Sequence, residues 1–210
     1  MFPKIFDLDL PPIKRRIDVH PWPQAQGEAL ADLDTEQAIT VISVVTSNTT
    51  MRETGRNLIR SAMRAVLGKH LYLSPDTVPL SSAARHAPAL TLPGHTIGLS
   101  VSHEAGLTLA AIHRRGPIGI DVMRIQAQPD WEPVAVNYLG RHAHQRILAM
   151  SPVQRPFAFG REWTRVEASL KCLGLGLVEW NNLLEHQMNR CETIKLALPV
   201  GLTGTVAVFW

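Results

Sequence analysis

Along the chain, apolar positions alternate between strand-like runs and helical spacing. The first 45 residues are proline-rich, with Pro11-Pro12 and Pro21-Trp22-Pro23, and end in an apolar run at 38–45 that predicts a strand. Ser47-Asn48-Thr49-Thr50 then supplies helix-capping residues. Leu58, Ile59, Ala62, Met63, Val66 and Leu67 follow at helical spacing before Gly68, which predicts a helix with one buried face. Three short β-rich runs at 97–101, 107–113 and 117–123, punctuated by Gly106 and Gly116-Pro117, read as neighbouring strands. A weak helical pattern at 131–150 is broken by Ser151-Pro152. Residues 157–173 are helical again, with Gly174 and Gly176 as the stop, and 194–199 and 204–210 read as closing strands. The order, helix with strands and then helix with strands, implies an α+β protein of two similar-sized halves, although no internal sequence repeat stands out.

Composition narrows the class only slightly. At 210 residues, 45% hydrophobic and 19% charged, the chain is an ordinary folded protein, large enough for one domain or two small ones. The net charge of +3 favours anionic partners but falls short of the dense basic stripe of a nucleic-acid binder. Aromatics interleaved for base stacking are also lacking, so no nucleic-acid partner is expected. Two cysteines, Cys172 and Cys191, do not make a structural zinc site unaided. The first residues lack the apolar core of a signal peptide and no stretch of about 18 apolar residues occurs, so no membrane association and a cytoplasmic location are expected.

Two islands carry candidate chemistry: Ser102-His103-Glu104-Ala105-Gly106 with Gly119-Ile120-Asp121-Val122-Met123, and residues 162–171 running into Gly174-Leu175-Gly176-Leu177. Asp121 sits in an apolar setting where a lone carboxylate is costly, so it needs a cation, a metal or several donors, or else caps a turn at a strand end. Glu167 and Lys171 share a helix face, as a surface ion pair or as part of a site. Ser102-His103 reads as a site or as a core histidine beside a turn serine. Arg52, Arg56, Arg60 and Arg64, four apart, form a positive ridge that is either a solvated face or an anion-facing one.

Taken in order, S-H-x-x-G, then G-I-D-V, then W-T-x-x-E-A-x-x-K-x-x-G-x-G-L resembles the surfactin-type branch of the phosphopantetheinyl transferases, over roughly residues 50 to 180. The resemblance implies a pseudo-dimer of two similar α/β subdomains, 1–115 on the coenzyme A side and 116–210 with the magnesium and catalytic motif, the active site lying in the cleft between them. It implies a magnesium-dependent holo-[acyl-carrier-protein] synthase that moves 4'-phosphopantetheine from coenzyme A to a serine of an acyl or peptidyl carrier protein. By position, Asp121 and Glu167 resemble the magnesium ligands and Lys171 the phosphate-contacting lysine. Arg56, Ser102, His103 and, within the stretch His86-Ala87-Pro88, Pro88 fall on the coenzyme A side. Glu167 would also take the serine proton, and a monomer is expected because the pseudo-dimer supplies its own cleft.

The chain departs from that family pattern in three places. Met123 stands where a second acid is frequent, Val166 where a lysine often precedes the glutamate, and His86-Ala87 where the family has glycine and lysine. Glu104, after Ser102-His103, is a candidate replacement for the acid missing at Met123. The alternative function is a non-catalytic coenzyme A or carrier-protein binding module.

Overall fold

The computed structural model describes residues 16–48, 52–81 and 88–209. Thr49, Thr50, His86 and Ala87 lie outside them. Among the described residues the elements run β1 (Arg16–Ile17), β2 (Val19–Pro21), α1 (Gln26–Leu33), β3 (Ile39–Val45), α2 (Arg52–Leu71), β4 (Gly98–Glu104), β5 (Leu107–His113) and β6 (Ile118–Arg124). They continue with α3 (Trp131–Val134), a π-helical turn (Ala135–Leu139), α4 (Arg141–Leu148), α5 (Arg155–Cys172), α6 (Asn182–Met188), β7 (Glu192–Leu196) and β8 (Leu202–Val208).

The strands form two four-stranded sheets, ordered β2-β3-β5-β4 and β1-β7-β8-β6. Each contains the same unit. In the first, β3 is followed by a long helix and then by the antiparallel hairpin β4–β5, with β5 returning between β3 and β4. In the second, β6 is followed by α5 and then by the hairpin β7–β8, with β8 between β6 and β7. The α+β class expected from the element order is therefore present, as one topology repeated without a repeated sequence. The short strands differ between units: β2 runs parallel to β3, whereas β1 crosses over to run parallel to β7.

Burial explains why the strand runs are so apolar. Ile42 and Val44 of β3 pack with Ile59, Met63 and Leu67 of α2, while Ile39 and Val41 face the other way and share a core with Ile118, Ile120, Val206 and Val208 of the second sheet. A strand covered on both faces reads as a continuous hydrophobic run rather than an alternating one. On the outer side of the second sheet, α5 lies close to β6 and β8, where Ala168, Cys172 and Ala207 form a small-residue contact and the buried hydroxyls of Thr164 and Thr205 meet at 3.0 Å. Cys172 and Cys191 are free thiols there, and burial pushes the Cys172 thiol up to about 12.

Gly119 permits that approach, since a methyl group on it would run into the backbone of Ala168 and Cys172. The end of α5 is closed by Gly174 at φ +70°, with Leu175 N–H donating to Leu170 O and Gly174 N–H to Lys171 O, the paired bonds of a Schellman turn. The weak helical pattern at 131–150 resolves into three pieces that break at Gly140, itself covered by Trp180.

Gly119→Ala is expected to destabilise the fold by ~1–3 kcal/mol, because α5 must move off the sheet. Gly27→Ala, in a helix with open space around it, is expected to stabilise by ~0.5 kcal/mol. Urea unfolding midpoints check both, and equal effects would contradict the packing role given to Gly119.

Candidate active site

A cleft of about 1250 Å³ runs over the seam where β4 and β6, the edge strands of their sheets, lie against each other. Two helical ridges line it. Arg52, Arg56 and Arg60 come from α2 at four-residue spacing, and Phe159, Trp163, Glu167 and Lys171 come from α5 at the same spacing. Its floor is Ser100 to His103 of β4 and Asp121 to Met123 of β6.

The structure thus brings together seven of the eight residues singled out from sequence: Arg56, Pro88, Ser102, His103, Asp121, Glu167 and Lys171. Glu104 is the exception. Its Oε1 accepts Ala105 N–H at 2.7 Å and its Oε2 accepts Arg124 N–H at 2.8 Å, so the carboxylate is occupied by backbone outside the cleft lining. It stands at the end of β4, where it serves the backbone of β6, and is not gathered with Asp121 and Glu167.

At the centre of the seam, Asp121 is 8% exposed. Its Oδ1 accepts from Ser102 Oγ at 2.8 Å and from Lys171 Nζ at 2.8 Å, and Lys171 Nζ donates also to Ile120 O at 3.0 Å. The Asp121–Lys171 pair is therefore a partly buried, hydrogen-bonded ion pair held across two elements, the kind of partner that an aspartate in an apolar setting requires. Glu167, the other half of the helical pair, lies near it. Burial pushes the Glu167 carboxyl above its ordinary range, the Asp121 charge adds to this, and the Lys171 ammonium works against it.

Two carboxylates that raise each other's energy, both hard oxygen donors, suit a small divalent cation, which would relieve the repulsion. The donor set stops at two acids. Among the described residues no group of three or more His, Cys, Asp or Glu side chains is gathered as a metal cage, and Met123, on the Asp121 face of β6, packs with an apolar cluster. The remaining coordination would fall to water and ligand oxygens.

At the other end of the cleft His103 sits among cations. Burial, then the charges of Arg52, Arg56, Lys171 and Arg60, pull its pKa down to about 4, so the imidazole is neutral near pH 7. Its Nδ1 is 2.9 Å from Thr108 Oγ1, and Thr108 in turn lies against Gly55, where an added methyl would approach the hydroxyl to 2.7 Å. Arg52, Arg56 and Arg60 make no ion pair among the described residues, which leaves this end strongly positive and open to anions.

Sequence reasoning missed the apolar end. Trp131, Val134, Phe159 and Trp163 line the cleft beside Met123, with Phe159 and Trp163 stacked at 5.9 Å and Trp163 edge-on to Tyr138. Stepping back by fours from Lys171 and Glu167 to Trp163 and Phe159 would have found half of this wall. Arg64 stands apart, on a neighbouring cavity of about 470 Å³ that shares Asn57 and Arg60 with the main cleft.

Residues 117–203 match the family described as the 4'-phosphopantetheinyl transferase superfamily. The chain is also similar to the 4'-phosphopantetheinyl transferase HetI of Nostoc sp. (strain PCC 7120 / SAG 25.82 / UTEX 2576), 29% identical over 139 residues, 65% of this chain and 58% of that protein. The match thus spans little more than half the length of that relative. The family match contains Asp121, Glu167 and Lys171, whereas Arg56, Pro88, Ser102 and His103 precede it.

In the unfolded chain His103 takes its ordinary value of 6.5, and in the fold it lies at about 4. Between those values the unfolded state binds the extra proton, so stability is full above pH 6.5 and falls as pH drops toward 4. His70 and His113, also lowered by burial, add to the same slope. His103→Gln is expected to flatten the dependence of unfolding free energy on pH in that window relative to wild type, and an unchanged slope would contradict the buried, cation-ringed placement of the imidazole.

Proposed function

We propose that this protein transfers 4'-phosphopantetheine from coenzyme A to a serine of an acyl or peptidyl carrier protein, with magnesium as cofactor. The observation that supports it most is the polarity of one continuous cleft: arginines with no ion pair among the described residues at one end, a lysine and two acids at the centre, and an aromatic wall at the other.

Coenzyme A has the same sequence of chemistries. Its phosphorylated adenosine end suits Arg52, Arg56, Arg60 and the neutral His103, with Pro88 on the same side. Its pyrophosphate suits the centre, where Lys171 has spent two of its three N–H donors on Ile120 O and Asp121 Oδ1 and keeps one for a phosphate oxygen. The uncharged pantetheine arm is left with Trp131, Val134, Phe159 and Trp163.

Asp121 and Glu167 would hold the magnesium ion, which when bound supplies a Lewis acid for the charge that builds on the pyrophosphate. The chain's own residues handle the proton. As the carrier serine oxygen bonds to the β-phosphorus, the bond from that phosphorus to the bridging oxygen breaks and 3',5'-ADP leaves with it. The serine proton passes to Glu167, directly or through a water. A carboxylate raised by burial and by Asp121 is a better base than an ordinary one, because its pKa lies closer to the working pH.

For the carrier, the positive rim formed by Arg60 and Arg64 favours an acidic helical domain. Arg60 lines both cavities and so would touch coenzyme A as well as the partner, while Arg64 lines only the outer one.

The test is the mass of an apo carrier protein after incubation with this protein, coenzyme A and magnesium. A gain of one phosphopantetheine is expected. Glu167→Gln is expected to slow it by roughly 10²–10⁴-fold while leaving coenzyme A binding measurable. No gain across fatty-acid, polyketide and peptide carriers, with coenzyme A still bound, would overturn catalysis and leave a coenzyme A-binding module.

A further inference from the structure

The seam between the halves is built unlike the rest of either sheet. β6 is an edge strand, so every second backbone N–H lacks a partner within its own sheet. These donors are met by side chains of β4, two residues apart. Ser100 Oγ accepts Ile120 N–H at 3.1 Å, Ser102 Oγ accepts Val122 N–H at 3.2 Å, and Glu104 Oε2 accepts Arg124 N–H at 2.8 Å. The period-two spacing of a strand puts Ser100, Ser102 and Glu104 on one side of β4, and a constant offset of twenty residues matches each to its amide.

Within this ladder Ser102 alone also touches the acid pair. A hydroxyl has one proton to give. At Ser102 that proton goes to Asp121 Oδ1 at 2.8 Å, while the oxygen accepts Val122 N–H. The residue is 5% exposed. Donating to a phosphate of a bound ligand would mean releasing Asp121 inside a buried setting. Oδ1 is thus engaged by Ser102 and Lys171 together, and no described residue donates to Oδ2.

We propose that Ser102 is a positioning residue for the cation site rather than a contact for coenzyme A: it fixes the Asp121 carboxylate by Oδ1 and leaves Oδ2 as the ligand. This rests on the reading of Asp121 and Glu167 as metal ligands. Ligands held by outer hydrogen bonds typically lose 10–100-fold in metal affinity when that support is removed. With Met123 in place of a third acid, the site depends more heavily on the orientation of the two that remain.

Ser100 provides the internal control, because its hydroxyl supports a β6 amide in the same way and contacts neither acid among the described residues. Manganese(II) binding, read by the loss of its free EPR signal, is measured for wild type, Ser102→Ala and Ser100→Ala. Coenzyme A binding is measured separately by calorimetry in EDTA. Ser102→Ala is expected to weaken manganese binding at least tenfold and to leave metal-free coenzyme A affinity within about twofold, with Ser100→Ala near wild type in both. Ser102→Cys, nearly isosteric and a weaker donor, is expected to fall between, and it serves if the alanine variant does not fold. Manganese affinity unchanged in Ser102→Ala, or coenzyme A affinity lost as much as manganese affinity, would overturn the proposal. If wild type itself binds no manganese, the metal-site reading fails first and this inference with it.

Discussion

Every chemical group in the cleft depends on how two sheet edges are joined. A free edge exposes unpaired N–H groups, and burying β6 against β4 without partners for them would cost free energy at each one. The oxygens of Ser100, Ser102 and Glu104 remove that cost. Ser102, the member of this ladder that also donates to Asp121 Oδ1, fixes where that carboxylate lies against β4. On the face of β6 that it shares with Asp121, Gly119 lets α5 settle close enough for Lys171 Nζ to reach both Ile120 O and Asp121 Oδ1. Asp121 is held from the β4 side by a hydroxyl and from the α5 side by an ammonium, and the acid pair is the product of both.

The two halves share a topology and divide the chemistry. The long helix of the first half presents arginines at four-residue spacing, and the long helix of the second presents aromatics, an acid and a lysine at that spacing. A ligand spanning the seam meets the cations of α2, then the acid pair, then an apolar wall. The similarity to the phosphopantetheinyl transferase superfamily, which covers the second half, falls on the part that carries Asp121, Glu167 and Lys171.

Much of this was legible in the sequence where a local rule applies. The apolar run of β3 marked a strand, Gly106 the hairpin β4–β5, and Gly174 the end of α5. The last motif placed Glu167 and Lys171 on one helix face, and the structure finds them lining the same cleft. What escaped depends on contacts distant in sequence. The end of β4 looked like a turn because Ser102, His103 and Glu104 are polar, yet two of them are polar in order to satisfy the backbone of β6. Glu104 resembled a spare ligand for the same reason, since a carboxylate near a site and a carboxylate binding two amides have one sequence signature. α1 was hidden by the prolines before it and by its two buried contacts, Ala29 and Leu33, and the crossing of β1 to the other sheet left no local mark at all.

The most direct test is a crystal structure of the protein with coenzyme A and manganese, phased to show the metal by its anomalous signal. The expected result is a peak between Asp121 and Glu167 that also touches the pyrophosphate, with the adenosine phosphate beside Arg56 and His103 and the pantetheine arm along Trp131 and Trp163. Coenzyme A bound elsewhere, or lying in the cleft with no metal at the acid pair, would contradict it.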